Sequence, residues 1–356
     1  MKLISVIGTR PQLIKASILS KQLKKDNFLH KIINSGQHYD SNLSSVFLRE
    51  LFDKSSKIKN LKINSSSEVN FYSKLFDLLE KIFLEEKPDL VICYGDTNTT
   101  VCAALVASKM KIKLAHIEAG IRTYSRKSPE ETNRILVDRL SDYLFCPTPQ
   151  SRKNLKKEAN FFPNSNIFYS GDVMRDLYED MKNGFKKPSF KIPKNFILLT
   201  LHRQENVDDK EKLTNICDSL NSISEEYEII FPIHPRTKKM LKKFKIKLNC
   251  TSISPQGYLE FQWLLKNSKF TITDSGGVQK EAFFHGKKCL LIYDGNSGWT
   301  ELEKKGFFLK SKPNKNEILK NFNLLKSKKK IDNKDINKIF GSGKACKEVS
   351  KILQKI

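Results

Sequence analysis

The sequence predicts an α/β protein built from two successive doubly wound parallel sheets. Three observations carry that prediction. Short apolar runs, Gly-bearing turns and amphipathic stretches alternate along the chain, as strand–helix units of a parallel sheet do. The alternation pauses at a polar, proline-punctuated stretch, Lys186-Lys187-Pro188 to Pro193-Lys194, and then restarts. The length, 356 residues, suits two domains of about 150 residues each plus a closing segment.

Lys2 to Ile7 is an apolar run ended by Gly8-Thr9-Arg10-Pro11, which fits a buried parallel strand. From Gln12 to Lys24, Leu13, Ile14, Leu19 and Leu23 recur at helical spacing. A second strand is expected over His30 to Ser35, before Gly36-Gln37-His38. A Ser- and Lys-rich stretch then leads to a helix over Val69 to Glu86. Leu90 to Tyr94 is the clearest strand; it ends in Gly95-Asp96-Thr97 and precedes an Ala-rich helix, Thr99 to Lys109. Lys113 to Ile117 follows, ended by Glu118-Ala119-Gly120, and Pro129-Glu130 opens a further helix. In the second half, Asn195 to Leu201 is a fresh buried strand, followed by His202-Arg203 and a helix over Lys210 to Glu225. Glu228 to Ile233 is the next strand, ended by His234-Pro235-Arg236. Phe270 to Thr273 leads into Asp274-Ser275-Gly276-Gly277 and a helix. Cys289 to Tyr293 is expected to close the series, and the last helix, Gly343 to Ile356, has no strand after it. The expected domains are 1–170 and 171–342, with the terminal helix 343–356 apart.

Composition narrows the class. Lys and Arg total 64 against 39 Asp and Glu, a net charge of +25. Such an excess fits a nucleic-acid partner, an acidic small ligand or a Lys-rich surface. Lys is spread along the chain, with small clusters at Lys238-Lys239, Lys242-Lys243 and Lys328-Lys329-Lys330, so a solvated surface is favoured over nucleic acid. No uncharged run approaches the roughly 18 apolar residues of a membrane span. The amino terminus reads as a strand rather than a leader segment. Seven cysteines without a C-x-x-C argue against disulfide, zinc-ribbon and redox frameworks, so a cytoplasmic protein is expected.

In open α/β sheets the ligand lies outside the carboxyl ends of the strands. Those ends join glycine turns to acids, imidazoles and guanidinium groups. Glycine turns at helix amino termini offer unpaired N–H groups and the positive end of the helix dipole to an anion. Asp274-Ser275-Gly276-Gly277 is one such turn and Gly8-Thr9-Arg10-Pro11 another. Arg10, Lys15, Arg122, Arg134, Arg203 and Arg236 stand near these ends, placed to neutralise a diphosphate. Asp96, Glu118 and Glu130 are three carboxylates of one half; acids clustered in a cleft push one another's pKa values apart, which suits general acid and base work. His202 and His234 end strands of the other half. The dinucleotide fingerprint, the phosphate loop, metal-binding spacings and the serine-hydrolase elbow are all missing, so no cofactor or metal is expected.

Gly8-Thr9-Arg10-Pro11-Gln12-Leu13-Ile14-Lys15, Gly36-Gln37-His38, Gly95-Asp96-Thr97, His116 to Arg122, Pro129 to Arg134, His202-Arg203 and Asp274 to Glu281 occur in one order. Together they resemble the non-hydrolysing UDP-N-acetylglucosamine 2-epimerase family, and the resemblance runs from Met1 to the final helix. It implies a GT-B-type architecture: two Rossmann-like domains, the first carrying the catalytic carboxylates and the second binding UDP, with the substrate in the cleft between them. It also implies that the final helix crosses back to the first domain. The implied reaction inverts carbon 2 of a UDP-2-acetamido sugar by eliminating UDP to a glycal and adding it back. By matching position, Asp96, Glu118, Glu130 and His202 form the implied catalytic set. Arg10, Ser275, Gly276 and Gly277 match phosphate contacts, Glu281 the acceptor for the ribose hydroxyls, and Tyr258 and Phe261 the uracil-side segment. Lys15, His38, Arg122, Arg134, Arg203 and His234 complete the expected substrate contacts. The implied partner is the UDP-sugar alone, with no nucleic acid or membrane, in a homodimer.

The chain departs from the family pattern at Gln12, at Gln37 to Asp40 and in the short stretch between Thr123 and Pro129. Gln12 replaces the Glu of G-T-R-P-E, and Gln37-His38-Tyr39-Asp40 replaces the Q-H-R-Q of members activated by a second substrate molecule, which counts against such activation. Gln12, Gly36-Gln37-His38-Tyr39-Asp40 and Glu205 to Asp209 are more similar to a subgroup that includes epimerases of UDP-2,3-diacetamido-glucuronic acid. That sugar carries a carboxylate, which Arg126 or Lys127 could pair with, although solvated loop charges are favoured there. A hydrolysing epimerase and a GT-B glycosyltransferase are the weaker alternatives.

Overall fold

The structure, a computed structural model, describes residues 1–37, 41–53, 55–63, 65–125, 128–161, 165–328 and 331–356, with backbone alone at 41–45. The chain forms two compact units, Met1–Lys182 with Asn337–Ile356, and Asn183–Ile336. The first unit holds strands β1 (Lys2–Ile7), β2 (Leu29–Asn34), β3 (Ile58–Asn60), β4 (Leu90–Tyr94), β5 (Lys113–Ile117), β6 (Tyr143–Cys146) and β7 (Asn166–Tyr169). The second holds β8 (Phe196–Thr200), β9 (Glu228–Pro232), β10 (Thr251–Ile253), β11 (Phe270–Thr273), β12 (Cys289–Ile292) and β13 (Phe308–Ser311). Helices α1 (Arg10–Lys25), α2 (Ser41–Leu51), α3 (Glu68–Glu86), α4 (Asn98–Lys109), α5 (Pro129–Leu140), α6 (Pro149–Lys157) and α7 (Val173–Met181) belong to the first half of the chain. The second half carries α8 (Gln204–Val207), α9 (Lys210–Ser224), α10 (Pro235–Phe244), α11 (Tyr258–Asn267), α12 (Gly276–Phe284), α13 (Thr300–Lys304), α14 (Lys315–Ser327), α15 (Asn333–Phe340) and α16 (Ala345–Leu353).

The strand order is β3-β2-β1-β4-β5-β6-β7 in one sheet and β10-β9-β8-β11-β12-β13 in the other, and every described pairing is parallel. Both orders reverse direction after the first strand of the unit, the pattern of a Rossmann-like doubly wound sheet. The fold class read from the sequence therefore holds. A correction applies at the end of the second sheet: β12 does not close the series, because β13 pairs alongside it from Cys289↔Phe308 to Ile292↔Ser311. Its four residues, FLKS, carry too short an apolar run to read as a strand by pattern.

Central strands are apolar throughout because helices cover both faces. All five residues of β4 and all five of β8 are buried. Ala103, Ala104 and Ala107 let α4 lie close to β1 and β4, and Leu75, Leu79 and Ile82 of α3 fill the same core. In the second unit Leu213, Ile216 and Leu220 of α9 pack with Ile197, Ile272 and Phe322. The terminal helix α16 packs on α1 and α7 of the first unit, and the amides of Ala345 and Cys346 donate to the Asp176 carboxylate. Among the described residues no helix is long and apolar enough to cross a membrane.

Candidate active site

The switch point of the first sheet lies between β1 and β4, and the candidate residues gather at the strand ends around it. Glu118, just past β5, has a left-handed backbone (φ +74°), unusual for a residue with a side chain. Its Oε1 accepts a hydrogen bond from Lys15 Nζ at 2.5 Å, and both side chains are largely buried. Gly95, past β4, sits beside this pair at φ +62°: a Cβ there would lie 3.3 Å from Lys15 Nζ and 3.4 Å from Glu118 Oε1. The next residue, Asp96, is paired at 2.5 Å with Arg134 of α5. Burial works against the charge on Arg134, but the Asp96 and Glu131 carboxylates raise its pKa overall. Glu130, in the first turn of α5, accepts a hydrogen bond from Ser128 Oγ. Two of the three expected carboxylates thus each hold a cation.

A buried polar framework fixes these ends. Gln12 Oε1 accepts from the amides of Gly8 and Thr9, while Nε2 donates to the Tyr94 carbonyl and to the Thr97 and Thr100 hydroxyls. One amide therefore joins the ends of β1 and β4 to the start of α4. It also corrects the expectation that the Gly8 turn is an open anion site: two of its amides are taken by Gln12, and Pro11 has none. His116 on β5 bonds Asp138 through Nδ1 (2.7 Å) and the Gly95 carbonyl through Nε2 (2.8 Å). Asp138 also accepts from the Gly120 amide and from Arg122. Burial pushes the Asp138 carboxyl up, yet His116 and Arg122 hold it below its usual range. Glu131 accepts from the Thr123 and Tyr124 amides and the Thr123 hydroxyl, and Asn133 donates to the Asp96 carbonyl. Arg122 corrects another expectation. Its guanidinium is buried, with every nitrogen bonded to Asp138, Glu158 or the Ile121 carbonyl, so it braces the scaffold rather than reaching toward a ligand.

The second sheet switches between β8 and β11, and its candidate residues again flank that point. Asp274, fully buried after β11, accepts from the amides of His202 and Arg203 with one oxygen. Arg203 Nε donates to the Asp274 carbonyl, and its guanidinium lies 4.4 Å above the Tyr293 ring. Asn206 bonds the Ile292 carbonyl. The sequence therefore folds two strand ends around one carboxylate. Ser275 caps α12, its Oγ accepting from the Val278 amide. Gly276 and Gly277 occupy the first turn, whose amides have no carbonyl partner inside the helix. The His202 and His234 rings are 6.0 Å apart, and His234 Nδ1 accepts from the Arg236 amide. Arg236 itself is paired with Asp208.

Other expected residues are less favourably placed. Arg10 begins α1 with its guanidinium 4.7 Å over the Phe47 ring. Glu281 is buried in α12. Tyr258 and Phe261 of α11 are each 2% exposed. His38, Asp40, Arg126 and Lys127 lie outside the described residues. Asp274, Asn206, Glu131, Asn133, His116 and Asp138 hold the site together, although the strand-end reading assigned none of them a role. Buried side-chain atoms without a hydrogen-bond partner include Arg134 Nε, Asp274 Oδ1 and both amide atoms of Gln279, at these same strand ends and in α12. Such atoms mark places where polar ligands or water complete a structure. Among the described residues no three His, Cys, Asp or Glu side chains stand together as metal ligands.

Comparison with known proteins identifies the family. The UDP-N-acetylglucosamine 2-epimerase family profile matches residues 21–354. A Methanococcus maripaludis protein named as a UDP-N-acetylglucosamine 2-epimerase homolog is 41% identical, with 100% of each chain covered. A Pseudomonas aeruginosa UDP-2,3-diacetamido-2,3-dideoxy-D-glucuronate 2-epimerase is 42% identical over 85% of this chain and 86% of its own. The crystal structure of the Methanocaldococcus jannaschii UDP-GlcNAc 2-epimerase, solved with UDP-GlcNAc and UDP, superposes with a TM-score of 0.87 at 38% identity, with 100% of both chains covered. With the profile spanning nearly all of the sequence and both sheets shared with that structure, the chain belongs to the UDP-N-acetylglucosamine 2-epimerase family.

Proposed function

We propose that this protein epimerises carbon 2 of a UDP-2-acetamido sugar, interconverting UDP-N-acetylglucosamine and UDP-N-acetylmannosamine without net hydrolysis. The observation that carries the reading is the pair of partly buried, cation-held carboxylates at neighbouring strand ends, Glu118 with Lys15 and Asp96 with Arg134. A carboxylate can take the C2 proton as the C1–O bond to UDP breaks, which leaves a glycal and free UDP. Re-addition of UDP, with a proton delivered to the opposite face of C2, restores the bond count and inverts the centre. Asp96, Glu118 and Glu130 are the proton-handling groups in this reading. The capped α12 turn, with His202 and Arg203 beside it, suits the departing diphosphate, because helix amides and a guanidinium stabilise charge as it develops.

The test is incubation with UDP-N-acetylglucosamine in D2O, followed by NMR. Deuterium at C2 together with the manno epimer is the expected result. UDP-2,3-diacetamido-glucuronate belongs in the same panel, given the Pseudomonas relative; no exchange with either sugar sinks the reading. Stoichiometric free UDP and sugar would indicate a hydrolysing enzyme instead. The seven cysteines are all unpaired, which supports a reducing, cytoplasmic setting. A homodimer is proposed on the apolar row Val69, Tyr72 and Phe76, which shares one face of α3 and is not fully covered within its unit. Light scattering coupled to size-exclusion chromatography measures that assembly.

A further inference from the structure

We infer that Asp274 is a positioning residue for the reaction: its Oδ1 takes the Nδ1 proton of His202 and so turns ring Nε2 toward the diphosphate of bound UDP. This rests on the reading above, in which His202 stands beside the departing diphosphate. The two residues meet because β8 and β11 are paired, with Thr200 opposite Thr273, and the chain runs on past both strand ends. Asp274 is fully buried. Its amide donates to the Thr200 carbonyl. Its Oδ2 accepts from the amides of His202 (2.9 Å) and Arg203 (2.7 Å), with the Asn206 side-chain amide at 3.5 Å. Those donors fix the plane of the carboxylate, so Oδ1 cannot swing away to another partner.

The second oxygen is the one left over. Oδ1 is buried and has no hydrogen bond, a state that calls for a donor. The His202 ring stands next to it. Nδ1 lies 3.4 Å from Oδ1, near enough to donate but out of line. The His202 side chain is 42% exposed, so a small turn of the ring closes the bond. One carboxylate then holds His202 at its backbone and at its ring. A carboxylate on one imidazole nitrogen fixes which nitrogen carries the proton and where the other points. A ring held in this way at Nδ1–H is also supported as it takes charge at Nε2. That suits a group facing the negative charge that grows on UDP as the C1–O bond breaks.

The experiment uses the full chain with nitrogen-15-labelled histidine, and UDP as the ligand. His202→Asn assigns the His202 signal among the six histidines. In the UDP complex of the wild type, the spectrum should show a proton on His202 Nδ1. Asp274→Asn keeps an oxygen for the two backbone amides and presents an N–H to the ring, so the proton should leave Nδ1 for Nε2. Turnover is read on whichever sugar of the panel above the wild type accepts. The variant should lose about 10²-fold in kcat, while its UDP affinity in calorimetry changes far less. A wild-type Nδ1 without a proton, a variant that keeps the Nδ1 proton, or near-wild-type kcat in the variant overturns the inference while the epimerase reading stands. A wild-type chain that binds UDP with the Nδ1 proton in place but epimerises neither sugar removes the epimerase reading and leaves the ring contact. If the wild type binds no UDP, both fall. Because the wild-type spectrum is read on the native chain, it decides the matter even if Asp274→Asn misfolds.

Discussion

Glu118 combines a left-handed backbone, burial and an ammonium partner 103 positions earlier in the chain. Replacing its carboxylate by an amide keeps the shape and removes the proposed base. Glu118→Gln is therefore expected to lower kcat by about 10²–10⁴, with an unchanged circular-dichroism spectrum; near-wild-type turnover excludes Glu118 from proton transfer. Gln12 makes the opposite kind of contribution. It touches no candidate substrate group, yet its amide satisfies two backbone donors and one carbonyl. Gln12→Leu is expected to cost about 2–4 kcal/mol of stability, because buried polar groups would lose their partners, and urea denaturation measures it. At this scale the chemistry was legible: acids, imidazoles and guanidinium groups at strand ends announce a polar site. The pairings were not. Nothing in the linear order says that Lys15 meets Glu118, or that Arg122 turns inward to Asp138 and Glu158.

Elements whose apolar runs are long or continuous were legible almost to the residue. Leu90–Tyr94 and Lys113–Ile117 read from the sequence with the bounds the structure shows. Strands β3, β6, β7, β10 and β13, three or four residues long, were missed, whereas β11 and β12, equally short, were read beside their glycine-bearing turns. Two helix starts that look alike in sequence also differ. The α12 turn is capped by Ser275, whereas Gln12 takes the Gly8 and Thr9 amides just ahead of α1. The β4–α4 turn gives a prediction at this scale. Gly95 has φ +62° and abuts the Lys15–Glu118 pair. Gly95→Ala adds backbone strain of order 1 kcal/mol and crowds that ion pair. It should lower kcat more than it lowers the melting temperature, as paired activity and thermal-unfolding measurements would show.

Across the whole molecule, two buried groups tie stability to pH with opposite signs. Burial lowers the His30 pKa to about 4, in a pocket where Ser5 and Ser20 hold the ring. The folded state then binds fewer protons than the unfolded chain, so this contribution falls as pH drops from the unfolded histidine value, about 6.5, toward 4. Burial raises Asp176 to about 6, where it accepts the first amides of α16. Its contribution runs the other way and falls as pH rises from the unfolded aspartate value to about 6. The wild-type denaturation midpoint should therefore change little between about pH 4.5 and 6. His30→Gln should grow less stable with rising pH across that window, and Asp176→Asn more stable. Parallel profiles for all three proteins would refute the assignment. The charge of +25 plays little part in either effect. Lysines such as Lys238, Lys239, Lys242 and Lys243 on α10 are exposed and solvated.

By itself the sequence determined the α/β class, the doubling of the sheet, the family and the residue types that meet a nucleotide-sugar. It could do so because hydrophobic periodicity and strand-end chemistry are local properties, written in neighbouring residues. Only the tertiary structure decided which charges are paired with which inside the fold. It gave Lys15 to Glu118 and Arg134 to Asp96, enclosed Arg122 and closed the Gly8 turn with Gln12. These contacts join residues tens of positions apart, and burial makes each of them count, because a desolvated charge or amide must find its partner wherever the fold supplies one.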